Sequence, residues 1–270
     1  MAEETQGKAQ TSAETETVPA AFFDFDDTVF YGDSILYWSV FVVRRHPRLR
    51  FWRIPYLLSL PLWLAGILST PFLKRLALWP TSWIPEEERN AMAKEFAEKL
   101  VPQYIYPEIV HRMKKHRIAG RRVVVLTASP TLWMDHVGAL LPADEVKGTT
   151  MEFPAKGLRF PNYRGRNFKG RDKVVWIRSQ GRFPQDGTGC WAYSDGGSDV
   201  PMLEYAEHAV AVHPTPRLAK AAKKAGWPVI RPRRPREGVR RLMVKLVMLL
   251  WARRLPVPLQ RISMDADDVV

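Results

Sequence analysis

The stretch Ala20-Ala21-Phe22-Phe23-Asp24-Phe25-Asp26-Asp27-Thr28 constrains this chain more than any other. Small and aromatic apolar residues run straight into a group of three carboxylates, Asp24, Asp26 and Asp27. An uninterrupted apolar run reads as a strand buried on both faces, as in a parallel sheet. Carboxylates at its C-terminal end then lie at the carboxyl edge of that sheet, where open α/β folds bind their ligands. Neighbouring acids repel one another, so the cluster calls for a neutralising cation, and hard divalent ions favour oxygen ligands. The other reading is an acidic turn after a core strand.

Later segments repeat the pattern. Val123-Val124-Val125-Leu126 is a second buried-strand run, ending in Thr127-Ala128-Ser129-Pro130. A hydroxyl beside small residues that open a helix suits phosphate, and it equally suits a plain helix cap. Gly170-Arg171-Asp172-Lys173 opens a helix, and by spacing alone Lys173 reads as a surface charge. Cys190-Trp191-Ala192-Tyr193 is a short strand feeding Ser194-Asp195-Gly196-Gly197-Ser198-Asp199, again two carboxylates after a strand on a Gly-rich turn. Extended segments are expected around Glu145–Phe153 and Gly157–Phe160, and further strands at His208–Val212 and Val229-Ile230, with a helix over Arg217–Ala225. Alternating strands and helices predict an α/β fold, a Rossmann-like parallel sheet with a helical cap inserted after the first strand.

That insertion has its own character. Basic residues Arg44, Arg45, Arg48, Arg50 and Arg53 precede Ile54–Leu73, which contains no charged residue, and Lys74-Arg75 follow it. An uncharged stretch of about 20 residues is long enough to span a bilayer as one helix. Pro55, Pro61, Pro71 and Gly66 argue against a straight helix. A shared sheet on either side also requires both flanks on one side of any membrane. The segment is therefore expected as a broken re-entrant or interfacial hairpin, with Trp52, Trp63, Trp79 and Trp83 as interfacial anchors, or as a buried pair in an ordinary cap. Helices follow from Pro85 and over Tyr106–Arg117, and His111 and His116 read as surface residues.

The predicted organisation is a disordered leader at 1–19, a core at 20–33 and 118–232, a helical cap at 34–117, a basic amphipathic helix at 233–255 and a disordered tail at 256–270. With 41 Lys and Arg against 28 Asp and Glu, the formal net charge of +13 calls for an anionic partner: nucleic acid, an anionic membrane surface or a phosphorylated substrate. A single cysteine, Cys190, excludes an internal disulfide and fits a reducing compartment. The polar leader lacks the apolar region of a secretory signal.

In order, the chain carries Asp-x-Asp-x-Thr, Thr, Lys and Asp-x-x-x-Asp, each expected at a strand end. That set resembles the haloacid dehalogenase-like phosphohydrolases over about Phe22 to Pro232, and the insertion between the first two motifs resembles subfamily IB, which contains phosphoserine phosphatase. Within it the chain looks most like the phosphatidylglycerophosphatase C family, through Phe23-Asp24-Phe25-Asp26-Asp27-Thr28, the Arg44–Leu73 segment, Thr127-Ala128-Ser129-Pro130 and Tyr193-Ser194-Asp195-Gly196-Gly197-Ser198-Asp199.

The resemblance implies a phosphatase working through an aspartyl-phosphate. Asp24 is the nucleophile, Asp26 the general acid and base, and Thr127 and Lys173 bind and neutralise the phosphoryl group. Mg²⁺ is held by Asp24, the Asp26 backbone carbonyl and Asp195, with Asp199 directly or through water. Asp33, Thr28 and Ser129 are further substrate-binding candidates, Asp33 alternatively as a helix cap and Thr28 as a residue that orders the turn. The implied substrate is a lipid phosphate such as phosphatidylglycerophosphate, at the cytoplasmic face of a membrane. The alternatives are a cytoplasmic phosphomonoesterase of the phosphoserine phosphatase type and a nucleic-acid-binding or interaction protein, which leaves the catalytic set without a purpose.

Overall fold

The computed structural model describes residues 17–154 and 159–233. The predicted leader up to residue 16, Gly157, the amphipathic helix from 234 onward and the tail lie outside the described residues.

The first strand, β1 (Ala20–Phe23), is followed by five inserted helices: α1 (Ser34–Arg45), α2 (Arg53–Leu64), α3 (Thr70–Leu78), α4 (Glu86–Glu95) and α5 (Pro107–Ile118). Then come β2 (Arg122–Pro130), α6 (Thr131–Gly138), β3 (Glu145–Thr149), β4 (Met151–Glu152), β5 (Asn162–Tyr163) and α7 (Arg171–Ser179). The chain continues through β6 (Trp191–Ser194), α8 (Val200–Tyr205), β7 (His208–Val212), α9 (Pro216–Ala225) and β8 (Val229–Ile230). Six strands form one parallel sheet in the order β3-β2-β1-β6-β7-β8, and β4 pairs with β5 in a small antiparallel ribbon. The fold is the expected α/β architecture.

The apolar run owes its behaviour to having no solvent face. All four β1 residues are fully buried. Ala21 and Phe23 pack on one side of the sheet with Trp133 and the inserted helices, and Ala20 and Phe22 pack on the other with Ile177, Phe183 and Leu203. The chain winds outward to β3 and then returns to the other flank of β1 as β6, so the switch in direction falls between β1 and β6. That is where an open parallel sheet leaves a crevice beyond its strand ends.

The insertion holds itself together through buried donors. Trp38 Nε1 donates to Thr81 Oγ1 at 2.8 Å, Ser39 Oγ to the Ala77 carbonyl at 2.7 Å, and Trp52 Nε1 to the Leu76 carbonyl at 2.5 Å. Trp38 also stacks on Trp133 of α6, their centroids 5.3 Å apart, which seats the insertion on the sheet layer. Helix α5, grouped with the cap in the sequence reading, lays Ile109 and Met113 into the same cluster as Phe23 and Val123 and touches β1 and β2.

The uncharged stretch folds as a broken pair, α2 and α3, joined through Gly66 at φ +75°. No described helix is long and apolar enough to cross a membrane. Trp52 is not an interfacial anchor: it is 2% exposed, because its indole N–H finds a carbonyl partner inside the cap. Trp63 and Trp83 are exposed. The extended segment expected at Gly157–Phe160 begins outside the described residues, and beyond it Asn162 and Tyr163 pair with β4 as β5.

His116 is also not a surface residue. It lies buried between Phe23, Trp191 and Tyr193 and shares a 2.9 Å hydrogen bond with the Tyr193 hydroxyl. Burial, with Arg121 and Arg112 nearby, lowers its pKa from 6.5 to about 4. Below 6.5 the unfolded chain takes up a proton that the folded chain refuses, so this contribution to stability is lost as pH falls from 6.5 through about 4. Replacement of His116 by Gln is expected to flatten the fall of Tm across that window, as read by thermal denaturation at stepped pH.

Candidate active site

The chain leaves β1 at Asp24, whose amide donates to the Tyr193 carbonyl of β6 at 2.9 Å. This places the first carboxylate beside the start of the Asp195 turn. Lys173, on the first turn of α7, reaches across with Nζ 2.7 Å from Asp24 Oδ1 and 2.7 Å from Asp199 Oδ2. Its side chain is 1% exposed, against 14% for Asp24 and 3% for Asp199. Lys173 is thus neither a surface charge nor at a strand end: α7 carries it, and two anions make its burial tolerable.

Asp199 is held on every side. Its Oδ2 also accepts from Ser194 Oγ at 2.9 Å, and its Oδ1 accepts the Gly170 amide at 3.3 Å. Gly170 stands at φ +61°, and a Cβ there would lie 2.9 Å from the Ser198 carbonyl oxygen. Only glycine lets α7 begin this close to the Asp199 turn.

Asp26 faces the other way. Phe25 closes a tight turn, its carbonyl accepting the amides of Thr28, Val29 and Phe30. The turn sends Asp26 toward β2 and α1, where Oδ1 accepts the Ser34 amide at 2.8 Å and Oδ2 accepts Ser129 Oγ at 2.5 Å. Ser34 and Ser129 share a further hydrogen bond, their hydroxyl oxygens 2.8 Å apart. Two carboxylates that would share a face in a strand therefore diverge around the space at the strand ends.

Burial raises Asp24 from 3.8 to about 6; the nearby Asp199 adds to this, and Lys173 pulls the other way. Burial also raises Asp26 from 3.8 to about 7, with Asp33 adding to it, while Lys74 of α3 and the hydrogen bonds from Ser129 and Ser34 oppose it. Burial pulls Lys173 down, but Asp199 and Asp24 outweigh it and hold the ammonium charged.

The remaining predicted residues sort by what they touch. Thr28 is fully buried, and its Oγ1 accepts the Asp195 amide at 2.9 Å, so it orders the Asp195 turn instead of facing a ligand. The Asp195 carbonyl accepts the Thr215 amide at 2.9 Å, which pins that turn from the far side. Asp33 caps α1 by accepting the Ile35 amide at 3.0 Å. Thr127 is buried in the β2 edge, its Oγ1 accepting the Ser129 amide at 3.0 Å. Asp27 adopts φ +57°, a conformation Asp tolerates better than most residues, and its Oδ1 accepts the Gly32 amide at 3.1 Å. Sequence reasoning missed Ser34, Ser194 and Lys74. Ser34 carries a signal, since it follows an Asp where a helix begins; Ser194 and Lys74 are recruited by tertiary approach alone.

The groups that follow β1 and β6, the carboxylates of Asp24 and Asp195 and the Asp26 carbonyl, are hard oxygens of the kind a magnesium ion takes. Among the described residues no three His, Cys, Asp or Glu side chains gather into a metal cage. Asp199 spends both oxygens on Lys173, Ser194 and Gly170 and is an anchor for the lysine here.

Residues 21–204 match the haloacid dehalogenase-like hydrolase family, and the chain belongs to it. It is 31% identical over 229 residues to the inhibition of morphological differentiation protein of Streptomyces azureus, covering 80% of this chain and 79% of that one. It is 25% identical over 223 residues to a histidinol-phosphatase of Neisseria meningitidis serogroup C (strain 8013), covering 78% of this chain and 97% of that one. A crystal structure of a protein of unknown function from Bordetella pertussis Tohama I shares the fold, with TM-score 0.68 and 23% identity over 79% of this chain and 98% of that one. The protein is a phosphatase of this family, a phosphoric monoester hydrolase.

Removing one partner of a buried ion pair strands the others. Lys173→Met is expected to cost about 3 kcal/mol of folding stability at neutral pH and less in acid, where the abandoned carboxylates protonate. Urea denaturation at two pH values measures both quantities.

Proposed function

We propose that Asp24 attacks the phosphorus of a phosphate monoester. The observation that carries this reading is the Lys173–Asp24 pair, 2.7 Å apart at the end of the central strand, where the sheet changes direction. A carboxylate oxygen forms a bond to phosphorus, the bond from phosphorus to the leaving oxygen breaks, and that oxygen takes a proton from Asp26. Water then attacks the aspartyl-phosphate, Asp26 accepts its proton, and inorganic phosphate leaves as the Asp24 carboxylate is restored.

Asp26, raised to about 7 by burial, suits both proton transfers near neutrality. Ser34 and Ser129 hold it in place. Lys173 offsets the charge on Asp24 and on the incoming phosphoryl group, an electrostatic and positioning role. Thr127 and the backbone amides near it would bind the phosphoryl oxygens. Asp24, Asp195 and the Asp26 carbonyl would hold Mg²⁺, whose charge lets an anionic nucleophile meet an anionic substrate.

Two substrate classes follow from different observations. A small phosphomonoester of the phosphoserine or histidinol phosphate kind is supported by the histidinol-phosphatase relative, and a cytoplasmic setting goes with it. A lipid phosphate such as phosphatidylglycerophosphate, at the cytoplasmic face of a membrane, is supported by the exposed apolar residues of α2. Phosphate release from histidinol phosphate, phosphoserine, phosphatidate and phosphatidylglycerophosphate, assayed side by side, decides between them.

Asp24→Asn is expected to abolish turnover with no loss of fold by circular dichroism; retained activity would overturn the nucleophile assignment. Chelation with EDTA should silence the enzyme and Mg²⁺ restore it. Asp26→Asn is expected to inactivate while stabilising, because it removes a buried carboxylate. The folded pKa lies above the unfolded one, so the cost of that charge is full above about 7 and absent below 3.8. The gain in Tm should therefore reach a few degrees at about pH 8 and shrink at about pH 5.

A further inference from the structure

Helix α2 carries an apolar face that no described residue covers. Ile54, Leu58 and Leu62 follow one another at four-residue spacing and are 63%, 68% and 44% exposed. Leu64 and Ile67, at the tip where α2 turns toward α3, are 77% and 69% exposed. The opposite stripe, Trp52, Tyr56 and Ser59, is buried in the cap, so the exposed residues are not needed for its packing. Every residue from Pro61 to Pro71 except Leu68 is exposed or borders on it in this same apolar tip.

Along the chain the charge that flanks this face has one sign, although α4 brings Glu95 to Arg45 and Glu88 to His46. Between Ser34 and Pro85 there is no Asp or Glu, whereas Arg44, Arg45, Arg48, Arg50, Arg53, Lys74 and Arg75 all fall within that span. Arg48 and Arg50 are exposed just before α2 begins, at the end of the hairpin away from Leu64 and Ile67. Twelve helical residues put the tip about 18 Å beyond them. An apolar tip with a basic collar behind it matches a lipid leaflet, whose acyl boundary is apolar and whose headgroups are anionic.

We propose that the α2–α3 hairpin docks this phosphatase on an anionic lipid bilayer surface, its tip entering the acyl boundary and Arg48 and Arg50 meeting the lipid phosphates. The hairpin lies in the interface and does not cross it, in keeping with the length of its helices. The inference deepens the membrane reading of the function but holds whichever phosphomonoester is the substrate. The insertion that carries the hairpin also carries Ser34, whose amide holds Asp26.

The test is co-sedimentation of the full-length protein with vesicles of phosphatidylcholine and phosphatidylglycerol, and of phosphatidylcholine alone, with p-nitrophenyl phosphate hydrolysis followed in parallel. The protein is expected to pellet with the anionic vesicles and more weakly with the neutral ones. Leu58→Ser/Leu62→Ser/Ile67→Ser should lower partitioning about tenfold or more and leave hydrolysis unchanged, in line with removal of buried apolar area. Arg48→Glu/Arg50→Glu should lose binding to the anionic vesicles specifically, which keeps the test decisive should the triple variant misfold. Absence of wild-type binding overturns the proposal, as does binding that neither variant weakens. A dimer in light scattering that the triple variant dissolves, with no vesicle binding, would assign the face to a second copy and overturn it too. Failure of wild-type hydrolysis alone would strike the catalytic reading and leave this one standing.

Discussion

A lysine ammonium buried between two carboxylates is the interaction on which the rest of this structure depends. At 1% exposure Lys173 has lost its water, and Asp24 and Asp199, each 2.7 Å away, replace it. Each of the three groups comes from a different element: β1, α7 and the turn after β6. The pair therefore sets the distance between elements far apart in sequence, and the surroundings serve it. Gly170 allows α7 to start against the Asp199 turn, Ser194 takes up another lone pair of Asp199, and Thr28 and Thr215 fix the Asp195 turn beside it. Buried ion pairs contribute little net stability but penalise any arrangement that separates them. Here that penalty falls on every displacement of Asp24.

The second carboxylate shows a different solution. Among the described residues no cation touches Asp26; the Ser34 amide and the Ser129 hydroxyl take its place. Neutral donors satisfy the oxygens and offset only part of the burial of the charge, so Asp26 is raised to about 7. Two Asp residues separated by a single Phe are thereby given different partners, a lysine for one and neutral donors for the other. Because Ser34 begins α1, the helical insertion takes part in holding Asp26 at the end of the central strand.

Much of this was legible in the residues. The uninterrupted apolar character of Ala20–Phe23 and of Val123–Leu126 announces strands without a solvent face, and both are fully buried in a parallel sheet. The carboxylates at 24, 26, 195 and 199 fall at strand ends because the apolar runs stop there. What misled was solvent exposure. His116 and Trp52 look amphipathic and Lys173 looks like an ordinary helix charge, yet all three are buried, because each finds its polar partner on a segment distant in sequence. No local pattern reports such a partner.

The sequence by itself determined the periodicities: which runs become strands, where the carboxylates and hydroxyls fall along them, and that the insertion is apolar and basic with no acid between Ser34 and Pro85. These are properties of neighbours along the chain, and hydrophobic burial acts on them directly. Only the tertiary structure decided which carboxylate meets the lysine and which meets the serines, that α5 joins the sheet layer, and that one stripe of α2 is buried while Ile54, Leu58 and Leu62 face out. An apolar helix presents similar chemistry on both sides, so its own residues cannot choose the buried one. The choice belongs to Trp38, Ser39 and Trp52, whose polar atoms must find partners once they are buried, and those partners exist only after the cap has closed on the sheet.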